Sequence, residues 1–112
     1  LAECGGMMAL FDTLIDLDGQ SHTMGALLPG RTVMGKRLAA LGSQQVELAG
    51  GTLRGHTFHH SRCETDLLPA AQATRPDGQS GEPVWLRQRL TASYLHFYFP
   101  SNPAAVVGLF LP

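Results

Sequence analysis

The segment Leu1-Ala2-Glu3-Cys4-Gly5-Gly6-Met7-Met8 sets a thiol between a short apolar lead-in and a glycine pair that opens an amphipathic stretch. A cysteine at a helix start meets unpaired backbone N–H groups and the positive end of the macrodipole, and both favour thiolate over thiol. Glycines on its C-terminal side let the chain turn sharply and bring a bare amide close to a substrate oxygen. That is the logic of a nucleophile elbow, with Cys4 as nucleophile, the Gly5 amide as an oxyanion donor and Gly6 beside it in the substrate-binding turn. The same spacing also suits a small buried hydrophobe, so on its own it does not separate the two roles.

Amide hydrolysis by a thiol also needs a histidine to take and return a proton. The histidines are His22, His56, His59, His60 and His96. His96 suits the role best, because it ends a strand pattern whose other face is strongly apolar; the alternative is a half-buried strand histidine satisfied by a backbone carbonyl. His56, His59, His60 and Cys63 lie within eight residues and have the chemistry of zinc ligands. On a strand, however, His56 and His59 point to opposite faces, and no second ligand pair is evident elsewhere, so the expectation is no metal. Neither Gly5-Gly6 nor Gly50-Gly51 has the spacing or the lysine of a P-loop, so no nucleotide is expected on this chain.

The elements that must hold these groups are short. At 112 residues, 44% hydrophobic and 15% charged, the chain amounts to one domain at most, with a small core. A net charge of −1 with no basic, aromatic-laced cluster argues against nucleic acid. No apolar run approaches the ~20 residues that span a bilayer, and the two cysteines make no disulfide framework. A reduced, cytoplasmic protein with no membrane partner is the expectation.

Met7, Met8, Leu10, Phe11, Leu14, Ile15 and Leu17 recur at helical intervals up to Gly19, which predicts a helix with one buried face. Met24 to Leu28 predicts a strand ended by the turn signal Pro29-Gly30, and Arg31 to Leu41 a short helix or turn. Gln45 to Leu48 and Thr52 to Ser61 alternate about Ala49-Gly50-Gly51 as a β-hairpin, with His56 and Phe58 on one face and Thr57 and His59 on the other. The polar stretch between Pro69 and Pro83 predicts an exposed, mobile loop. Val84 to Leu86 and Leu90 to Phe99 have strand composition, with Tyr94, His96 and Tyr98 expected on one face and Leu95, Phe97 and Phe99 on the other. Asn102 or Ser101 can cap a final helix with Pro103 in its first turn and Ala104 to Leu111 as its body.

Ala2 to Met8, then Met24-Gly25-Ala26-Leu27-Leu28-Pro29-Gly30, then Arg54-Gly55-His56-Thr57-Phe58-His59-His60-Ser61, and Ala92-Ser93-Tyr94-Leu95-His96 come in an order that resembles one family. It is the glutamine amidotransferase domain of the cobyrinic acid a,c-diamide synthases. The resemblance implies an α/β fold, the C-terminal part of a flavodoxin-like class I amidotransferase domain with a β-hairpin and short flanking helices. It implies that residues 1–112 are a partial amidotransferase domain beginning at the elbow, with little or no glutaminase activity expected from this piece alone. It also places the catalytic histidine late in the chain, where His96 stands, and makes Arg54 to His59 a structural block beside the site.

Members usually have glutamate where this chain has Thr57, and a second histidine where it has Tyr98; amidotransferases with a full triad carry a carboxylate there. Cys4 and His96 would then work as a dyad, and what orients the imidazole is open. The implied function is release of ammonia from glutamine for ATP-dependent amidation of corrinoid carboxylates in cobalamin biosynthesis. ATP, magnesium and the corrinoid substrate would belong to an N-terminal synthetase domain, and a homodimer is compatible with the pattern. The alternatives are another cobalamin-type amidotransferase, such as a cobyric acid synthase or a cell-wall amidating enzyme, against which the Arg54 to Ser61 block argues, and a catalytically silent interaction module.

Overall fold

A computed structural model describes residues 1–111. Strand β1 (Ala2–Glu3) leads through Cys4 into α1 (Gly5–Met8), followed by β2 (Phe11–Ile15), β3 (Ser21–Thr23) and β4 (Leu28–Val33). The hairpin strands β5 (Ala40–Leu48) and β6 (Gly51–His59), then β7 (Arg62–Glu64), β8 (Ala71–Thr74), β9 (Ser80–Arg87), β10 (Leu90–Ser93) and β11 (His96–Phe97) follow, and a 3₁₀ turn (Phe99–Ser101) leads to α2 (Pro103–Phe110). The fold is mixed α/β, mostly strands with short helices. One seven-stranded sheet runs β1-β10-β9-β8-β5-β6-β11, and a four-stranded sheet runs β3-β2-β4-β7. Among the described residues no helix is long and apolar enough to cross a membrane.

Two apolar clusters hold this arrangement. The first joins Met7 and Met8 of α1 to Phe11, Leu28, Trp85 and Ala92, and so seats the smaller sheet against the β1-β10-β9 end of the larger one. Trp85 packs edge-on to Phe11 with ring centroids 5.9 Å apart, and its indole N–H donates to the Leu67 carbonyl at 3.0 Å. The second cluster gathers Val46, Leu53, Ala73, Val84, Leu95 and Phe97 under Ala105 of α2.

The β5/β6 hairpin forms as its alternation predicts, in register from Leu48↔Gly51 to Ala40↔His59, and extends further back than Gln45. Its faces also match: Leu53, Gly55, Thr57 and His59 are buried while Arg54, His56 and Phe58 are exposed. The final helix starts where its cap residues indicate, with the Asn102 side chain accepting from the Ala105 amide at 3.2 Å.

Several other expectations are corrected. The predicted helix from Gly6 to Leu17 is one turn of helix followed by strand β2. Gly5 and Gly6 propagate a helix poorly, Thr13 and Ile15 are β-branched, and a short apolar run satisfies both periods. Asp18-Gly19 is a hairpin turn, not a helix stop: Asp16 Oδ1 accepts from the amides of Asp18 and Gln20, each at 2.9 Å, and Gly19 has φ +80°. Pro29-Gly30 lies inside β4 at a register shift against β2, so the strand begins at Leu28 where the predicted strand ended. Arg31 to Leu41 contains no helix but the end of β4 and the start of β5.

The stretch predicted as a mobile loop between Pro69 and Pro83 is the β8/β9 hairpin, closed by Arg75 to Gln79 with Asp77-Gly78 at its tip. Its composition is polar because most of that hairpin is exposed, which is compatible with a strand pair. Finally, Tyr94 is buried with Leu95 and Phe97, not exposed alongside His96 and Tyr98. The chain between β10 and β11 breaks the two-residue period there, and Phe99 sits in the 3₁₀ turn.

Candidate active site

Cys4 stands at the junction of β1 and α1 with φ +48° and ψ −113°. A residue with a Cβ is strained there, by about 1–3 kcal/mol. Neighbouring bonds impose the conformation: the Cys4 amide donates to the Ser93 carbonyl at 2.9 Å, and the Cys4 carbonyl accepts from Met8 at 3.0 Å. Met7 and Met8 anchor the turn in the core. The sharp turn thus falls on Cys4 itself and not on the glycines that follow. A Cβ added to Gly5 or Gly6 would meet nothing within 4 Å, so the space over both is open. Their amides, in the first helical turn, lack an intrahelical acceptor. With only four residues in α1 the macrodipole is small, so the elbow geometry carries the case for the nucleophile.

His96 begins β11 and is exposed. It lies directly opposite His56 in antiparallel register, with Phe97 opposite Gly55. A Cβ on Gly55 would fall 2.9 Å from the His96 carbonyl oxygen, so only glycine admits β11 at this spacing. On the exposed side of β6 and β11 opens a cavity of about 930 Å³ lined by Arg54, His56, Arg75, His96 and Tyr98 among others. Its lining holds two guanidiniums, two imidazoles and no carboxylate. The Tyr98 side chain is exposed and its amide donates to the Arg54 carbonyl at 2.8 Å. Cys4 packs beside the first apolar cluster, and among the described residues no hydrogen bond joins it to His96. Catalytic hydrogen bonds are often formed only once substrate is bound.

Cys4 is not among the residues lining that cavity, but the strands that carry the two residues are joined through their neighbours. The Glu3 carboxylate accepts from the Phe97 amide at 2.7 Å. Glu3 immediately precedes Cys4 and Phe97 immediately follows His96. In the sequence Glu3 stands out only as part of a motif, and its position beside Cys4 is the available signal.

Behind the elbow lies a buried polar chain that the sequence did not reveal. His59 Nδ1 donates to the Ser61 carbonyl at 2.8 Å, and Nε2 meets Glu82 Oε1 at 2.9 Å, with both side chains under 10% exposed. One proton is therefore shared between Nε2 and Oε1. The imidazole stacks on Tyr94 at a centroid distance of 3.6 Å. Tyr94 and Ser61 are joined through their hydroxyls at 2.8 Å, and Ser61 Oγ donates to Met8 Sδ at 3.4 Å. Since a thioether only accepts, the Tyr94 hydroxyl donates to Ser61. Burial pushes the Cys63 thiol up to about 11, opposed by its contact with Tyr94 and reinforced by the Glu82 charge. Burial also raises the Tyr94 phenol.

The residues with zinc-ligand chemistry point to different surroundings. His59 is committed to Ser61 and Glu82, while His56 and His60 are exposed on their own strand and loop. His22 pairs with Asp16 at 2.7 Å on the surface, far in sequence from the elbow, and holds that carboxyl below the usual carboxylate range. Thr57 is fully buried, and its hydroxyl has no hydrogen-bond partner among the described residues.

Residues 1–104 match the model of the CobB/CobQ-like glutamine amidotransferase domain. The chain belongs to this family. It is 52% identical over its whole length to the hydrogenobyrinate a,c-diamide synthase of Pseudomonas aeruginosa and 50% identical to that of Stutzerimonas stutzeri. It is 47% identical to the cobyrinate a,c-diamide synthase of Herminiimonas arsenicoxydans, again over the whole chain. In each case it spans 26% of the relative's length. A strained residue between a strand and a helical turn is the geometry of a nucleophile elbow.

Proposed function

We propose that this chain is the glutamine-hydrolysing part of a cobyrinate or hydrogenobyrinate a,c-diamide synthase, with Cys4 and His96 as its dyad. The observation that carries the proposal is the left-handed backbone of Cys4 at the end of β1, in a member of an amidotransferase family. The Cys4 sulfur attacks the side-chain carboxamide carbon of glutamine, and the Gly5 and Gly6 amides face the developing oxyanion. His96 takes the thiol proton as the sulfur attacks and gives it to the leaving nitrogen, so that ammonia departs and a glutamyl thioester remains. Water then attacks the thioester while His96 takes its proton, and glutamate and the free thiol are restored. The cationic lining around Arg54 and Arg75 suits the substrate's α-carboxylate.

The ammonia would amidate a corrinoid carboxylate activated by ATP and magnesium on a synthetase domain outside this chain, in the cytoplasm. Among the described residues no group of three or more histidine, cysteine, aspartate or glutamate side chains is placed to hold a metal ion. The test is His96→Ala, which should lower glutamine turnover by about 10²–10⁴, the usual contribution of a positioned acid–base group. A mild effect there beside a crippling His56→Ala would assign the base to the opposite strand. Gly55→Ala should act on the same step without touching the chemistry, since its methyl would displace the His96 carbonyl. Relieving that contact takes a shift of a few tenths of an ångström, so the loss should be smaller than the roughly 10²-fold cost of a misplacement near 1 Å. Steady-state glutaminase kinetics on that variant should show the loss in kcat, and wild-type kcat would mean β11 can give way.

A further inference from the structure

The seven-stranded sheet has β1 and β11 as its two outermost strands, yet these strands are joined. The Glu3 carboxylate of β1 accepts from the Phe97 amide of β11 at 2.7 Å, while β1 otherwise pairs only with β10 and β11 only with β6. The sheet curls until its edges meet, and one side chain closes the gap. Cys4 follows that side chain directly, pinned on its other flank by its amide bond to Ser93, and His96 directly precedes the amide that receives it. No bond from any other residue of β1 to β11 is present among the described residues.

We propose that Glu3 is the positioning residue of the site, fixing the separation of Cys4 and His96 by clamping their two strands together through the backbone. The inference rests on the reading of Cys4 and His96 as the catalytic dyad. It answers what holds the histidine when the residue two positions after it is Tyr98, which is exposed and offers no carboxylate. The clamp acts on the strand and not on the ring, so it needs only an acceptor oxygen at the reach of a glutamate side chain. A carboxylate gives the stronger bond to an amide N–H, and an amide oxygen of the same length gives a weaker one in the same place.

The test is a set of variants in the full-length protein, assayed with glutamine and separately with free ammonia. Glu3→Ala should lower glutamine-dependent kcat by about 10²-fold, the scale of a misplacement near 1 Å, with the ammonia-fed reaction unchanged. Glu3→Gln should recover most of that loss. Because Glu3 acts through His96, adding Glu3→Ala to His96→Ala should cost nothing further, whereas independent roles would multiply. A merely structural residue would lower both the glutamine and ammonia reactions together and would not be rescued by Gln in kcat alone. Wild-type kcat in Glu3→Ala, equal loss of both reactions, or multiplicative loss in the double variant would each overturn the clamp. Retained glutamine use in Cys4→Ala would instead overturn the dyad on which the clamp depends, so the two failures are told apart.

Discussion

Cys4→Ala in the full-length protein should abolish glutamine-dependent amidation and leave amidation fed by free ammonia intact. The thiol is the only group on the elbow that can form the acyl link, and alanine offers no nucleophile. The substitution should also relieve nothing by unfolding, because the bonds that hold the turn are backbone ones, from the Cys4 amide to Ser93 and from Met8 to the Cys4 carbonyl. The strain of φ +48° remains with alanine, so stability should stay close to the parent's. Parallel assays with glutamine and with ammonium salt decide the matter. Glutamine turnover by the alanine variant would remove Cys4 from the mechanism, and loss of both reactions would show that the elbow is needed for the fold.

Replacing His59 should do the opposite, damaging the fold and not a chemical step. Its imidazole is stacked on Tyr94 and bonded on both nitrogens, and without it the Glu82 carboxylate is left buried with its ring partner gone. Leaving a buried polar group without its hydrogen-bond partner costs about 1–3 kcal/mol, a sizeable part of the stability of a small domain. His59→Leu should therefore lower the urea midpoint, with the paired change His59→Leu, Glu82→Leu recovering part of the loss because no buried polar group is then left without its partner. Unfolding curves of the three proteins measure this. An unchanged midpoint in the single variant would mean that Glu82 finds another partner.

The turn at Cys4, the β5/β6 hairpin and the final helix start were legible because their signals are local. A thiol before a glycine pair, an alternating hairpin around Gly50-Gly51 and an Asn-Pro helix start each depend on a few neighbouring residues, and the structure has all of them in place. The order of the blocks along the chain carried the family, and the match over residues 1–104 agrees. Where local signals served two structures equally, tertiary contacts chose. The run from Met7 to Leu17 satisfies helical spacing, but Phe11 to Ile15 finds partners in β3 and β4 and becomes a strand. Two Asp-Gly pairs, at Asp18 and Asp77, marked hairpins that polarity alone disguised as a helix stop and a mobile loop.

What no window of sequence could hold is the meeting of residues from opposite ends of the chain. Glu3 and Phe97, His59 and Glu82, and Ser61 with Met8 and Tyr94 are joined across separations of 94, 23, 53 and 33 residues. Hydrogen-bond partners are selected by distance and burial after the sheets have curled and packed, and neither quantity is encoded in spacing along the chain. The sequence by itself determined which residues could do the chemistry and to which family they belong. Only the tertiary structure decided that the strain falls on Cys4 and that a carboxylate spans the sheet edges beside it.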